Sequence, residues 1–249
     1  MKRCVVLSIL LTVGLAGGCA RNCGCGAGPR AREAGEIVER SLNVTGGLDA
    51  WKEIDRLEGE MLLKVYGPDD APYLTRVMYT MHFDAGRIDA KAPTGEGMWT
   101  ASVDAGGSGS FKVDGSLGEG VSAEQIKQAL GQVLHRLRGA GNIVWGREKP
   151  YALEEDRIDG IALRCVSVRW TQTHMRSYCF EENSGRLRFA VSGADQAGEG
   201  GWVTVYKDYT KQANGMILPM HLQQVGIGEY VLLGDSPIWD VQLLSVTME

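Results

Sequence analysis

From residue 57 onward the apolar residues recur every second position, in short runs broken by glycine-rich turns. That period belongs to strands with one face buried, and tight turns between runs join neighbours antiparallel. The runs are 57–66, 72–84 after Gly67-Pro68-Asp69-Asp70, 87–91 after Ala85-Gly86, 97–104 and 110–115. They resume at 143–145 and continue through ALEEDRIDG, ALRCVSVRW, MRSYCFEE, RLRFAVSG, WVTVYKDYT, ILPMHLQQVG, EYVLLG and WDVQLLSVT. About a dozen short strands without helical crossovers predict an antiparallel meander, and open sheets of that size curl. The expected fold class is therefore α+β, mainly β: a curved antiparallel sheet or unclosed β-barrel with helices on its concave side.

Three helical pieces accompany the strands. Residues 31–44 set Ala34, Ile37, Val38, Ser41 and Leu42 on one face before Gly46-Gly47 stops them, and Leu48, Trp51, Ile54 and Leu57 recur every third residue. Ser122 followed by Gln125 is a capping-box signature, after which Ile126, Ala129, Leu130, Val133, Leu134 and Leu137 hold helical spacing as far as Gly139. No linker interrupts residues 31–249, which are expected to form one domain.

The N-terminus has a different character. Lys2 and Arg3 precede an apolar run from Cys4 to Leu15, then Ala16, Gly17 and Gly18 lead into Cys19. This is the layout of a secretory signal, and small residues directly before a Cys resemble the bacterial lipobox. The expected organisation is a signal peptide over 1–18, an acylated Cys19 opening a flexible tether over 19–30, and the folded domain behind it, with ordinary secretion after cleavage near Gly18 as the alternative. The apolar run is too short for a membrane-spanning helix, whereas acyl chains hold a domain to a bilayer at about 0.8 kcal/mol per buried CH2. Ala20 after the modified Cys, rather than Asp, favours the outer membrane under the sorting rule of Gram-negative lipoproteins.

In an oxidising compartment the remaining thiols tend to pair. Cys165 and Cys179 lie seven residues either side of Gln172, the centre of an expected hairpin, so they face each other across two strands. They form a cross-strand disulfide or stay as two buried thiols. Cys23-Gly-Cys25 has neither zinc-site nor thioredoxin spacing and reads as a tether disulfide or exposed thiols.

Catalytic chemistry is hard to find. His82, His135, His174 and His221 are isolated, and neither a Gly-x-Ser-x-Gly elbow nor a phosphate loop occurs. No catalytic residue, metal or cofactor is assigned. A net charge of −5, from 26 basic and 31 acidic residues spread along the chain, leaves no basic face for nucleic acid.

Three segments carry a family likeness: TGGLDAWKEIDRLEGEM (45–61), YCFEENSGRLRF (178–189) and YKDYTKQANGMILPMHL (206–222). With the helix before them they resemble the periplasmic lipoprotein-carrier superfamily, which includes the lipoprotein-sorting chaperone and its outer-membrane receptor. The resemblance implies an unclosed barrel, helices plugging its mouth, an apolar cavity, and a lipid or lipoprotein acyl chain as ligand. On the residues themselves, Val77, Tyr79, Met81 and Phe83 form a wholly apolar strand face, opposed by Leu74, Arg76, Met78, Thr80 and His82. Helix 122–138 is the plug candidate, with Ile126, Leu130, Val133 and Leu134 inward. These eight residues line a cavity or are simply core. Two function classes stay open: a lipid-anchored, non-enzymatic envelope protein that binds or transfers an acyl chain, and a structural or interaction lipoprotein that docks an envelope partner. An envelope hydrolase needs convergent polar groups that no motif supplies.

Overall fold

The computed structural model describes residues 29–67, 72–117, 120–145, 150–158, 160–169, 175–192, 201–227 and 233–249. The expected leader, Cys19, Cys23, Cys25 and His174 lie outside these. Helices α1 (Pro29–Val44) and α2 (Leu48–Lys52) precede strands β1 (Arg56–Tyr66), β2 (Pro72–His82), β3 (Arg87–Pro93), β4 (Met98–Asp104) and β5 (Gly109–Val113). Helices α3 (Ala123–Leu137) and α4 (Gly141–Trp145) follow. The chain ends with β6 (Pro150–Ile158), β7 (Ile161–Arg169), β8 (Met175–Glu181), β9 (Leu187–Ser192), β10 (Gly201–Lys211), β11 (Ile217–Ile227) and β12 (Leu233–Met248).

All twelve strands form one antiparallel sheet in the order β5-β4-β3-β2-β1-β12-β11-β10-β9-β8-β7-β6. Every neighbour is a sequence neighbour except β1 and β12, which pair from Leu57↔Met248 to Val65↔Trp239. That pairing places β5 and β6 at opposite edges, so the barrel is not closed. The chain between those edges, α3 and α4, crosses the sheet's inner face. The fold is thus the mainly β, unclosed barrel with helices that the alternation predicts.

A bulge marks the β1–β12 seam. Glu60 faces Ser245 but Met61 faces Leu243, which leaves Leu244 extra and exposed. Along β12 the inward set therefore switches from Trp239, Val241 and Leu243 to Val246 and Met248, which also pack on the core. Gly59 is required here, because a Cβ would lie 2.0 Å from the Ser245 carbonyl oxygen.

One main core joins the inner faces of α1, α2 and α3 to the sheet. α1 buries Ala34, Val38, Ser41 and Leu42 and packs on β6 and β7. α3 starts with the expected capping box: Ser122 Oγ accepts from the Gln125 N–H while Gln125 Oε1 accepts from the Ser122 N–H. One expectation fails. Residues 143–145, read as a strand, form the end of α4, since Gly139 ends α3 and the chain coils directly into another short turn. β7, β8, β9 and β10 bury residues on both faces, with a second cluster around Leu163, Cys165, Cys179, Phe189 and Val203.

Cys165 pairs with Cys179 in the β7–β8 register and the two are disulfide-bonded. The bridge closes a loop with a sequence separation of 14. By loop-closure entropy it stabilises the fold by about 3 kcal/mol. Urea unfolding of the Cys165→Ser/Cys179→Ser double variant is expected to show a loss of about that size with an intact native fold, and an unchanged midpoint refutes it.

Candidate functional site

The inner face of the half-barrel, and the helices that cover it, form the candidate site. On β2 burial alternates strictly: Val77, Tyr79, Met81 and, just beyond the strand, Phe83 are buried, while Leu74 is 52% and Met78 42% exposed. Val77, Tyr79 and Met81 therefore face inward. On α3, Ile126, Leu130, Val133 and Leu134 are buried in the same core. The structure brings all eight into one cluster, where they are packed among neighbours rather than spread around a void.

α3 lies close against the sheet for an identifiable reason. Gly131 faces the β4–β5 turn, and a Cβ there would come within 2.6 Å of the Asp104 carbonyl oxygen and the Gly107 nitrogen. A glycine inside a helix costs about 1 kcal/mol in propensity relative to alanine, so this close approach is what it provides. The far end of α3 is fastened by Arg138, whose Nη2 donates to the Phe83 carbonyl at 2.7 Å with the guanidinium 4.7 Å from the Phe83 ring centroid. Trp51 of α2 packs edge-on against the same ring, centroids 6.4 Å apart.

Open space lies beside this cluster. A cleft of about 760 Å³ runs between α1, α2 and α4 to the start of β6, walled by Val38, Leu42, Leu48, Ile143, Val144 and Pro150, with Glu39 and Asp49 at its polar border. None of the eight expected cavity residues borders it. The sequence pattern does not reveal this wall, because Ile143 and Val144 read as strand residues. A five-residue helix is too short to display a helical period, and only the flanking Gly139 and Gly141 hint at a coiled turn. A second hollow of about 610 Å³ involves Glu58, Met78, Thr80, Asp89, Lys91 and Thr100, and touches Tyr79. The Tyr79 hydroxyl donates to the Ser245 carbonyl at 3.2 Å, and burial pushes its pKa up.

No family model and no curated protein matches the chain. Among solved structures it is similar to a LolA superfamily protein from Nitrosomonas europaea, with 12% identity, a TM-score of 0.51, and 87% of this chain and 93% of that one covered. The chain has the LolA-superfamily fold. A domain named for outer membrane lipoprotein sorting from Vibrio parahaemolyticus (9% identity, TM-score 0.48) and a DUF1329 family protein from Desulfovibrio piger (10% identity, TM-score 0.48) each align over 88% of this chain and 93% of their own.

Within this LolA-type half-barrel the described histidines do not converge. His82 contacts Asp89 at 3.1 Å and His221 contacts Asp240 at 3.0 Å. Among the described residues no group of three His, Cys, Asp or Glu side chains is placed to hold a metal. His135, on α3, is different. Its Nε2 lies 3.2 Å from Arg176 Nη1, and a guanidinium only donates, so the imidazole accepts as the neutral form. Burial, with Arg136, Arg176 and Arg138 nearby, brings its pKa down to about 3.

The unfolded chain therefore takes up a proton at His135 near pH 6.5 that the folded chain refuses until about pH 3. Stability from this site is full above pH 6.5 and is lost as pH falls through that window. Urea unfolding is expected to show on the order of 2–3 kcal/mol lost between pH 7 and 4.5 from this group. The His135→Gln variant should be correspondingly flatter over that range; an identical slope refutes the assignment.

Proposed function

We propose that the chain is a lipid-anchored protein of the bacterial envelope that binds or transfers an acyl chain, alone or as part of a lipoprotein, inside its half-barrel. The observation that carries this reading is an inner face that is mostly apolar across both sheet halves and, among the described residues, roofed by helices, with an open cleft between α1, α2 and α4 at the edge of the roof. A helix-roofed core becomes a binding cavity when the roof lifts, at the cost of the contacts α3 makes. Each acyl CH2 that replaces them contributes about 0.8 kcal/mol. Similarity to a LolA superfamily protein supports lipid or lipoprotein binding in general. Binding and release need differential affinity rather than bond chemistry, which agrees with a non-enzymatic role.

In the same reading residues 1–18 are a signal peptide, Cys19 carries the lipid, 19–30 tether it, and the half-barrel faces the periplasm from the outer membrane. Labelled palmitate is expected to be incorporated by the full chain in a Gram-negative host and not by Cys19→Ala, which should also leave the membrane fraction. Equal labelling of the two proteins refutes the anchor.

The close packing of Val77, Met81, Ile126 and Leu130 favours a second reading, in which the interior is permanently filled and the domain is a structural or interaction module of the envelope. Native mass spectrometry of the purified protein, with organic extraction of what accompanies it, separates the two. The carrier reading expects a stoichiometric acyl ligand that is lost in Leu134→Glu and weakened in Val144→Glu, a change at the exposed cleft border, with unchanged circular dichroism. A ligand-free protein that also takes up no fluorescent fatty acid overturns it.

A further inference from the structure

The inner face is not apolar throughout. Where α3 ends, a row crosses the sheet through Thr204 of β10, Gln224 of β11 and Trp239 of β12, which are direct register partners. Tyr206 stands two residues along β10 on the same face. The Thr204 and Tyr206 hydroxyls and the Trp239 indole nitrogen are fully buried and have no hydrogen-bond partner among the described residues. Leaving a buried polar group unsatisfied costs about 1–3 kcal/mol, and three in one neighbourhood is more than folding alone explains.

Each of these groups can donate, and the indole can only donate. Beside them lie two buried cations. Arg136 reaches down from α3 with its guanidinium 3.8 Å from the Trp202 ring centroid, and Arg176 of β8 lies 5.9 Å from the same ring. Both act electrostatically on Tyr206. One register step away an apolar strip runs from Leu222 and Val241 to Leu63, Met61 and Val77. An end rich in hydrogen-bond donors and carrying two buried arginines thus adjoins this apolar strip.

Resting on the acyl-binding reading above, we propose that this end of the inner face is the head-group site for an anionic amphiphile. Arg136 and Arg176 supply the charge, Thr204, Tyr206 and Trp239 supply hydrogen bonds, and the acyl chain lies along the apolar strip. The ligand class is an acyl chain ending in a carboxylate or phosphate. Entry requires the Arg136 end of α3 to lift, so binding and movement of the plug are coupled.

The test is calorimetric titration of the delipidated full chain with dodecanoate below its micellar concentration, dodecanol, and inorganic phosphate. Dodecanoate is expected to bind at least tenfold more tightly than dodecanol, and phosphate alone not measurably. In the Thr204→Val/Tyr206→Phe variant, which removes two unsatisfied hydroxyls and so keeps or raises the melting temperature, the ratio should fall towards one. Arg136→Gln should reduce it further. Equal affinity for dodecanoate and dodecanol in the wild type overturns the head-group site while leaving acyl binding intact. A ratio unchanged in both variants overturns these residues as its source. Phosphate binding as tight as dodecanoate overturns the amphiphile in favour of a free anion. Binding of neither dodecanoate nor dodecanol overturns the acyl-binding reading and this one with it.

Discussion

The antiparallel pairing of β1 with β12 is the contact on which the rest of the architecture depends. All other strand pairs join sequence neighbours and need only short turns, whereas this one brings the two ends of the folded chain together and carries nearly the full loop-closure entropy. Once made, it puts β5 and β6 at the outer edges and obliges the connection between them to traverse the inner face. A sheet of twelve strands bridged in this way must be strongly curved. The unclosed barrel and the helical plug are two consequences of one pairing. The Leu244 bulge and the side-chain-free Gly59 are local adjustments that let the two strands meet at that seam.

α3 has two jobs that ask for different surfaces. Its apolar residues complete the core over β1, β3 and β4, and Gly131 lets its backbone settle into the β4–β5 turn. At its C-terminal end it turns polar, with His135, Arg136 and Arg138 held respectively against Arg176, Trp202 and Phe83. Burial of that much cationic and hydrogen-bonding capacity is expensive compared with an aliphatic core. A plug that only had to seal would not need it, which is why the head-group proposal attaches to this end of the helix and not to the apolar middle.

An apolar inner face, a roof made of helices rather than strands, a cleft beside the roof and a donor-rich end suit an amphiphile that enters and leaves. The eight inward residues of β2 and α3 are core in the closed form described. In the proposed carrier reading they become cavity when the roof moves, and core and binding site would then be two states of the same side chains.

Much of this was legible in the chain alone. The two-residue period from Leu57, the turns between runs and the capping box at Ser122 determined an antiparallel meander with one inserted amphipathic helix, because these signals act over a few residues. The symmetric placement of Cys165 and Cys179 about Gln172 determined their pairing register for the same reason. Other features were invisible from sequence. Residues 143–145 are apolar enough for a strand, but successive turn bonds from Gly141 to Arg138, Asn142 to Gly139 and Ile143 to Ala140 coil the chain into α4, a helix too short to show its period. The Leu244 bulge changes which residues of β12 face inward without disturbing its composition. The polar row from Thr204 to Trp239 draws on three strands and meets arginines from a helix and a fourth strand, so no local pattern announces it. Local period determines which face of each element is apolar, whereas strand register and the path of α3 over the sheet decide which of those faces meet, what space is left between them and where charge is buried.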